Sequence, residues 1–569
     1  MILPEYPPLN SLQIMKNNKK FILSGLLILL ITGLSAFKIY DDGDDFEIAK
    51  SLDLFHDVVR EVRLYYVDDV DIPKLIGEAT KEFLKKLDPY TVFYSENEIE
   101  DFTLMTTGAY GGVGAAIIKT ENSLLISDIR KGYPADSSGL KTGDEIIAIN
   151  NINVTKENIS EIIKNLKGEP GSTVTLQIKR YGQSNVFKKT IVRKKIISQA
   201  ISYADILSGN TAYIKLNEFR RSAASDFKRK LIMLDEKQKL SGLIIDLRGN
   251  PGGLLNEAVE IVNLFVPKGS KIVSTKGKVK SWNYDYIAQK EPDFPDLPVT
   301  VLINNRSASA SEIVAGALQD LDRAVIIGQR SFGKGLVQIT RKVEYNTRIK
   351  ITTAKYYIPS GRCIQIVDYS HRNPDGSVGK VPDSLISEFK TKNGRKVFDG
   401  GGVKPDIIVK PDSLNKFTKD LINNYEIFDF CTEYYFKNKT ISKPENFSLS
   451  NSDYQNFITF VLKSKTEFQS EAGKIAKKLA EVAEKEHYDK NVTDKITDLQ
   501  KNLAINKEEA LLQFKKEIIP ILEREIIKRY YYEAGVLKRE TVNDKLIKTA
   551  KEILRNKEKY QKILSGINE

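Results

Sequence analysis

Cysteine and histidine are the scarcest informative residues of this 569-residue chain, which contains two Cys and three His. Cys363 and Cys431 are too few for a disulfide framework or a cysteine-built zinc site. One bridge between them is the alternative to two free thiols, which we expect. His56, His371 and His487 are far apart, and no His-Glu-x-x-His motif occurs, which argues against a catalytic zinc ion. If the chain is a hydrolase, its base is therefore expected to be a residue other than histidine.

The charge balance is also modest. Lys and Arg number 87 against 75 Asp and Glu, a formal net charge of +12. This excess permits contact with anionic surfaces but does not require nucleic acid, and we expect no nucleic-acid partner. With 41% hydrophobic and 28% charged residues, the composition is that of a globular protein and excludes wholesale disorder, collagen and an all-membrane protein.

A strongly apolar run without charged residues, FILSGLLILLITGLSAF, occupies residues 21–37, directly after the basic stretch KNNKK at residues 16–20. A basic stretch followed by an apolar run is typical of a secretory signal, and a retained membrane anchor is the other interpretation. Both place the rest of the chain outside the cytoplasm, because positive flanks stay inside. A buried core helix is disfavoured by the position of the run and its basic flank.

Hydrophobic periodicity divides the chain into segments of different character. Residues 46–87 have helical spacing that ends at Asp88-Pro89, whereas residues 106–195 alternate short apolar runs with glycine-rich turns and carry one helix at 155–166. TAYIKL, GLIIDL, PVTVLIN and RAVIIG then read as buried strands between helices. The predicted boundaries are 1–40 for the signal or anchor, 41–105 helical, 106–197 β-rich, 198–410 α/β and 411–569 helical.

The first chemistry-bearing segment is Ser307-Ala308-Ser309-Ala310-Ser311-Glu312, between a predicted strand and a predicted helix. Ser309 and Glu312 fit a capping box, so Ser309 could be a helix cap and nothing more. The same geometry can present a nucleophilic hydroxyl at a helix N-terminus, which favours developing negative charge.

The second segment, RSFGKGLVQ, contains Lys334 between two glycines. With Gly328 it fits most of a phosphate-binding loop, but Gly335 stands where Ser or Thr would bind magnesium, and GLVQITRKV reads as a strand rather than a helix. An NTPase is therefore the weaker interpretation. A serine–lysine pair is a known nucleophile–base combination, provided that a dry pocket lowers the lysine pKa from about 10.4. Gln338 could orient the lysine head.

Two glycine-rich turns complete the set. DLRGNPGG at residues 246–253 follows a predicted strand and could expose N–H groups for an oxyanion, or could be only a tight connection. YGGVGAAI at residues 110–117 could form a nest of N–H groups that binds a carboxylate, or could be a simple hairpin.

These four segments, in the order in which they follow the export signal along the chain, resemble the carboxy-terminal processing peptidases, which join a PDZ domain to a Ser-Lys protease core of peptidase family S41. The resemblance covers roughly residues 45–410, and ISDIRKGYPADSSGLKTGDEIIAINN is similar to the PDZ pattern. It implies an α/β multidomain protein with a β-rich PDZ domain before an α/β serine-protease core and helical regions at both ends.

The resemblance also assigns roles by motif. The family spacing of 25 residues between nucleophile and base selects Ser309 and Lys334, with Gln338 as the orienting glutamine. Ala310 and one of Gly252 and Gly253 are implied as oxyanion donors. The carboxylate-binding loop falls on Gly112, Val113, Gly114 and Ala115.

The resulting expectation is a serine endopeptidase of the bacterial cell envelope, in the periplasm and attached to the inner membrane if residues 21–37 are retained. It would recognise the free C-termini of partly unfolded proteins and need no metal, ATP or redox cofactor. An activator or adaptor protein and a dimeric assembly are further implied. The alternative from another class is a non-catalytic PDZ scaffold, against which the intact set of Ser309, Lys334 and Gln338 argues.

Overall fold

The computed structural model describes residues 42–99, 109–120, 123–155, 158–197, 199–373, 375, 377–411, 413–466, 468, 470–503 and 506–566. They form two units, one ending at Lys86 and one beginning at Leu87. The predicted signal or anchor at residues 21–37 lies outside the described residues. Within the described ranges, no helix combines the length and apolar character that a membrane crossing requires.

The first unit consists of helices α1 (Asp42–Tyr65) and α2 (Ile72–Lys85), which confirms the helical periodicity. The side chain of Asp71 accepts a hydrogen bond from the N–H of Lys74 and caps α2, and Pro73 occupies its first turn, where no N–H is needed. Several large apolar side chains of α1 are exposed, among them Phe46 and Leu52.

The second unit begins with strand β1 (Val92–Tyr94) and continues into a β-rich region. Its elements are β2 (Ala109–Gly112), β3 (Ala115–Lys119), β4 (Leu124–Ile129), α3 (Pro134–Ser137), β5 (Glu145–Ile149), β6 (Ile152–Asn153), α4 (Ile159–Ile162), β7 (Thr173–Lys179), β8 (Phe187–Val192) and β9 (Lys194–Ile197). The sheet has the order β3-β4-β5-β7-β8, with β6 paired to β5, so β3 is an edge strand. Strands β2 and β9 pair separately and antiparallel. The helix predicted at 155–166 is α4 followed by a 3-10 turn over Ile163–Leu166.

The α/β region supplies the largest core. Its elements are β10 (Ile201–Leu207), β11 (Thr211–Leu216), α5 (Ala223–Lys237), β12 (Gly242–Asp246), α6 (Leu255–Asn263), β13 (Lys271–Gly277), β14 (Tyr284–Ile287), β15 (Val299–Ile303), α7 (Ala310–Asp320), β16 (Ala324–Gly328), β17 (Leu336–Lys342), β18 (Arg348–Tyr357), β19 (Val367–Arg372), β20 (Val378–Lys380), β21 (Glu388–Lys390), β22 (Lys396–Phe398) and β23 (Ile407–Ile408). All four predicted buried strands are confirmed as β11, β12, β15 and β16.

Two sheets organise this region. The first has the order β10-β11-β12-β15-β16-β23 and is parallel from β11 to β23. Because the four central strands β11, β12, β15 and β16 are buried on both faces, they read as continuous apolar runs rather than as alternating patterns. The second is antiparallel, with the order β1-β18-β13-β14 and β17 paired to β18. Strand β1, predicted within a helical segment, therefore belongs to the second sheet of the α/β region.

The remaining chain is helical, as predicted. It forms α8 (Lys416–Asn423), α9 (Glu426–Lys437), α10 (Asn451–Lys463), α11 (Glu471–Lys485), α12 (Lys490–Leu503), α13 (Lys507–Gln513), α14 (Lys515–Asn543), α15 (Lys545–Arg555) and α16 (Lys557–Ser565). Helices α8 to α10, α13 and α14 share their own core. Helices α15 and α16 instead bury Ile547, Leu554 and Tyr560 against the parallel sheet. The C-terminal segment thus completes the α/β layer as well as building a separate helical body.

Candidate active site

The turn between β15 and α7 places Ser309 directly before the helix, with φ +55° and ψ −114°. A helix cap ordinarily has extended backbone angles, so this conformation is not that of a simple cap. Non-glycine residues with such angles carry strain that only a well-packed environment sustains, and they cluster at functional sites. Ala308 and Ala310 on either side are buried, which leaves Ser309 as the partly accessible residue of the turn.

The two neighbouring serines have structural partners. The hydroxyl of Ser307 donates to the carbonyl of Leu247 at 2.8 Å, and the hydroxyl of Ser311 donates to the carbonyl of Asn250 at 3.0 Å. Both side chains are fully buried. They fasten the serine turn to the 246–253 turn, so only Ser309 of the three lines the cavity at this site.

Glu312 joins the serine turn to the lysine loop. Its fully buried carboxylate accepts hydrogen bonds from the N–H groups of Ser309, Lys334 and Gly333 at 2.8, 2.9 and 2.7 Å, and from the hydroxyl of Ser331. Burial raises the pKa of Glu312 to about 7, and the four donated hydrogen bonds oppose that rise. The capping-box prediction identified the Glu312–Ser309 bond but missed the contacts to the lysine loop.

These contacts also bear on the NTPase alternative. The N–H groups of Gly333 and Lys334, which a phosphate-binding loop would direct at phosphate, donate to Glu312 instead. The segment after the lysine is strand β17, as predicted, and so offers no helix N-terminus. Nothing in this geometry favours nucleotide binding.

Lys334 lies in the same cavity, of about 300 Å³, as Ser309. Burial lowers the pKa of Lys334 to about 8, and the positive charge of Lys350 contributes to the lowering. Its Nζ lies 4.3 Å from the ring centroid of Tyr90. Both Ser309 and Lys334 are in the described part of the chain, and no hydrogen bond joins Nζ to the Ser309 hydroxyl in this structure. The hydroxyl of Tyr356 lies within hydrogen-bonding distance of both residues' carbonyl oxygens and so ties their backbones together.

Sequence reasoning missed Tyr90. Asp88 was interpreted as a helix breaker, but its carboxylate accepts hydrogen bonds from the N–H groups of Tyr90 and Thr91, both at 2.8 Å. This Asx turn presents the Tyr90 ring to Lys334 and leads into β1, which pairs with β18. The Asp-Pro-Tyr-Thr run is a turn signature, but its proximity to Lys334 could not be read from the sequence.

Gln338 lies on β17 and lines the cavity. Its Nε2 donates to the hydroxyl of Thr352 on β18 at 3.2 Å. In the described ranges no hydrogen bond joins Gln338 to Lys334, so the orienting role stays a prediction.

The 246–253 turn lies against Ser309. The N–H of Gly252 donates to the side-chain carbonyl of Asn250 at 2.8 Å. Among the described residues, the backbone N–H groups of Gly253 and Ala310 have no acceptor. Of the two glycines left open by the sequence, Gly253 is therefore the better candidate for the second oxyanion donor.

Replacing Gly252 with alanine is expected to lower kcat by about 10²-fold or more, a loss like that of one oxyanion donor. Gly252 has φ +104°, and a Cβ there would lie 2.7 Å from the Ala308 carbonyl oxygen and 2.8 Å from Ser309 Cβ. Steady-state peptide hydrolysis measures the effect. Gly249→Ala is the matched control, because φ is +76° there but nothing lies within 4 Å. Equal losses in both variants would mean that strain, not displacement of the turn, is responsible.

The predicted carboxylate loop joins β2 to β3. Gly114 has φ +79°, and a Cβ there would lie 2.5 Å from Tyr133 Cβ, so only glycine fits. The carbonyl of Val113 accepts a hydrogen bond from the N–H of Ala135 at 2.7 Å. The N–H groups of Val113 and Gly114 find no acceptor among the described residues, and Gly112 and Ala115 end and begin the two strands.

Metal ligands are not grouped in the described residues: no three His, Cys, Asp or Glu side chains there could hold a metal ion together. Both cysteines are free, as predicted.

Comparison with known proteins agrees with this architecture. The chain matches the family description "Peptidase family S41" over residues 210–371, "PDZ domain" over 125–180 and "Probable PDZ-protease, C-terminal helical domain" over 417–554. It is 35% identical over 342 residues to a carboxy-terminal-processing protease of Bartonella bacilliformis, covering 60% of this chain and 76% of that protein. It is 29% identical over 347 residues to carboxy-terminal processing protease CtpA of Bacillus subtilis, covering 60% and 72%.

Among solved structures, a photosystem II D1 C-terminal processing protease is 24% identical, with a TM-score of 0.35 and coverage of 64% of this chain and 94% of that one. The fold is that of a PDZ domain preceding an S41 protease core, with a helical C-terminal domain. The chain therefore belongs to the carboxy-terminal-processing protease family and is a serine-type peptidase.

Proposed function

We propose that the protein is an endopeptidase that binds the free C-terminus of a partly unfolded protein and cleaves it with Ser309 as nucleophile and Lys334 as general base. One observation carries this proposal: the same cavity is lined by Ser309, Ala310, Lys334, Gln338 and the 252–253 glycines.

Neutral Lys334 takes the Ser309 hydroxyl proton as Oγ attacks the scissile carbonyl. The N–H groups of Ala310 and Gly253 stabilise the resulting oxyanion, and the protonated lysine delivers its proton to the leaving amine. Water, deprotonated by Lys334, then hydrolyses the ester and restores the serine. With a pKa of about 8, roughly a tenth of Lys334 is neutral at pH 7, which suffices for a base.

This reaction requires the lysine head to turn from Tyr90 toward Ser309. Catalytic hydrogen bonds are often long or absent without substrate and form in the substrate complex. Gln338, in the same cavity, would then accept a hydrogen bond from the reoriented Nζ or donate one to it. Neutral lysine has less attraction for the Tyr90 ring than the ammonium ion, so deprotonation and reorientation favour each other.

The PDZ domain, assigned to residues 106–197, would bind the substrate tail. Strand β3 is at the sheet edge and can pair with an extended tail. The N–H groups of Val113 and Gly114 can receive the terminal carboxylate. The catalytic region is assigned to residues 198–410, the helical regions to 41–105 and 411–569, and the signal or anchor to 1–40.

Export to the periplasm rests on residues 16–37 alone. Assembly as a dimer is supported by the exposed apolar side chains of α1, such as Phe46, Leu52 and Phe55. An activator or adaptor protein is proposed from the resemblance only.

Tail recognition is tested with a fluorescent peptide ending in Leu-Val-Ala. Amidating its C-terminus removes the negative charge of the carboxylate to which the loop N–H groups would donate hydrogen bonds. We therefore expect the dissociation constant to rise about tenfold or more. Fluorescence anisotropy on the full chain measures both peptides. A peptide of the same composition in scrambled order, with a free carboxylate, controls for nonspecific attraction to a basic protein. Equal affinity for the free and amidated tails would contradict recognition of the carboxylate.

A further inference from the structure

Two hairpins of the antiparallel sheet end in turns that lie side by side. The first turn, residues 278–284, connects β13 to the start of β14 and contains the 3-10 turn Lys280–Trp282. The second, residues 341–345, connects the end of β17 to β18. The guanidinium of Arg341 lies 5.9 Å from the ring centroid of Trp282, so the two turns are adjacent. Together they are called the hairpin patch.

The hairpin patch exposes large apolar side chains. Trp282 is the only tryptophan of the chain, and it is 46% exposed, while Tyr345 is 89% exposed. Val279, Tyr284 and Val343 are exposed as well. Single exposed apolar residues are common, but several in one patch, two of them strongly exposed aromatic rings, indicate a surface that contacts something.

The same patch is basic. Its two segments read KVKSWNY and RKVEY, with four basic residues and one acidic residue, Glu344. In the part of the chain that the structure describes, Lys278, Lys280 and Lys342 form no ion pair, so their charges are available to a ligand. The side chains of all three are exposed. The patch thus combines interfacial aromatic rings with uncompensated positive charge.

Two other interpretations explain only half of this combination. Strand β14 is at the edge of its sheet, and edge strands often carry lysines that prevent pairing with other chains, but this does not explain an exposed tryptophan. A protein partner would explain the aromatic rings, yet lysine is depleted in protein interfaces. An anionic bilayer accounts for both, because Trp and Tyr favour the headgroup level and lysines extend toward lipid phosphates.

We propose that the hairpin patch docks on the surface of an anionic phospholipid bilayer. Trp282 and Tyr345 then lie at the headgroup level, and Lys278 and Lys280 contact lipid phosphates. This contact is distinct from the predicted signal or anchor at residues 21–37 and does not require that segment to be retained. It is also independent of the proposed function.

Docking in this way has a geometric consequence for the catalytic cavity. Strand β17 runs from the cavity, where Gln338 is a lining residue, to the patch. Val343 follows Gln338 by five residues, or about 17 Å along an extended strand. A docked patch therefore brings the cavity close to the bilayer surface.

Trp282 is a built-in probe of this contact, since all tryptophan emission of the chain comes from it. The full-length protein is incorporated into vesicles of phosphatidylcholine, with or without phosphatidylglycerol. A docked Trp282 lies about 5–10 Å into the boundary between headgroups and acyl chains, where lipids brominated on their acyl chains quench it and aqueous acrylamide does not. We expect this only in the anionic vesicles. In neutral vesicles an inserted anchor would hold the chain at the membrane but leave Trp282 accessible to acrylamide.

The double variant Lys278→Gln/Lys280→Gln removes two charges and keeps the probe. Each basic residue near an anionic surface strengthens binding about fivefold, so the ratio of docked to undocked protein, measured by brominated-lipid quenching, should fall about 25-fold. High salt should lower the same ratio in wild type, because screening shortens the range of the attraction. Lys230→Gln/Lys237→Gln is the matched control: it removes two exposed lysines of α5 and should dock like wild type. Melting temperatures show whether both variants are folded.

Four outcomes would overturn the proposal. The first is equal lipid quenching of Trp282 in anionic and neutral vesicles, and the second is an equal loss in the two double variants. The third is a Trp282 that is already shielded from acrylamide without lipid and becomes accessible on dilution, which would assign the patch to a second copy of the chain. The fourth is shielding by polyglutamate but not by anionic vesicles, which would assign it to an acidic protein. None of these results changes the expected effect of substituting Ser309, so the proposed function is tested separately.

Discussion

Replacing Ser309 with alanine is expected to abolish peptide hydrolysis, with kcat reduced by at least about 10⁴-fold. The other two serines of the turn cannot substitute, because the hydroxyls of Ser307 and Ser311 are buried and bonded to the carbonyls of Leu247 and Asn250. Only binding and oxyanion stabilisation would remain. Hydrolysis of an unfolded protein, measured with EDTA present and no ATP, is the assay.

The fold should survive this substitution. Alanine removes one oxygen from a partly accessible residue, so the melting temperature is expected to stay within a few degrees of wild type. Ser225→Ala, at an exposed position of α5, controls for the handling of the protein and should retain full activity. Residual hydrolysis above about one per cent in Ser309→Ala would place the nucleophile elsewhere.

The same variant separates an enzyme from a scaffold. A non-catalytic PDZ scaffold would show no hydrolysis in wild type or variant, and equal tail binding in both. A peptidase whose nucleophile is Ser309 loses hydrolysis in the variant and keeps tail binding, because the proposed carboxylate loop lies between β2 and β3, whereas Ser309 precedes α7.

The second large effect is expected for Lys334→Arg, a loss of at least about 10³-fold in kcat/KM. The charge and length of the side chain are largely conserved, but a guanidinium cannot become neutral and so cannot accept the Ser309 proton. Arginine should still be accommodated against the Tyr90 ring, because guanidinium groups stack on aromatic faces. The loss therefore reports on proton transfer rather than on packing. Activity within tenfold of wild type would contradict the general-base role.

The pH profile of wild type provides the corresponding positive evidence. A base with a pKa of about 8 is protonated and inactive at lower pH, so kcat/KM should rise with pH through a midpoint of about 8 and level off about one unit above it. Lys350→Gln removes a positive charge that favours the neutral lysine, so the midpoint should move to higher pH. Lys342→Gln, at the exposed end of β17, should leave the midpoint unchanged. A midpoint that ignores Lys350 would indicate that the titrating group is not Lys334.

The sequence was sufficient where a local pattern determines local structure. The buried strands β11, β12, β15 and β16 were visible as apolar runs, and the Ser309 and Lys334 segments were recognisable from residue types and spacing. A capping-box pattern also identified Glu312 as a residue that binds the Ser309 backbone.

What could not be predicted depends on contacts between distant parts of the chain. Tyr90 reaches Lys334 only because β1 pairs with β18, a strand more than 250 residues later. The Glu312 carboxylate accepts hydrogen bonds from the lysine loop only because the loop after β16 packs against α7. Likewise, the amphipathic pattern of α15 predicts a helix but does not say which of two cores it covers.

The covering of the parallel sheet by α15 and α16 has a consequence for the order in which the enzyme matures. Ribosomes deliver these helices after every strand that they cover, and Asp544, which accepts a hydrogen bond from Arg248, follows it by 296 residues. In a nascent chain that has emerged only as far as residue 543, one face of the parallel sheet is exposed to solvent. Arg248 then has Asp246 as a partner but lacks Asp544. Proteolytic competence is therefore expected late in synthesis, once α15 and α16 have emerged and packed on the sheet.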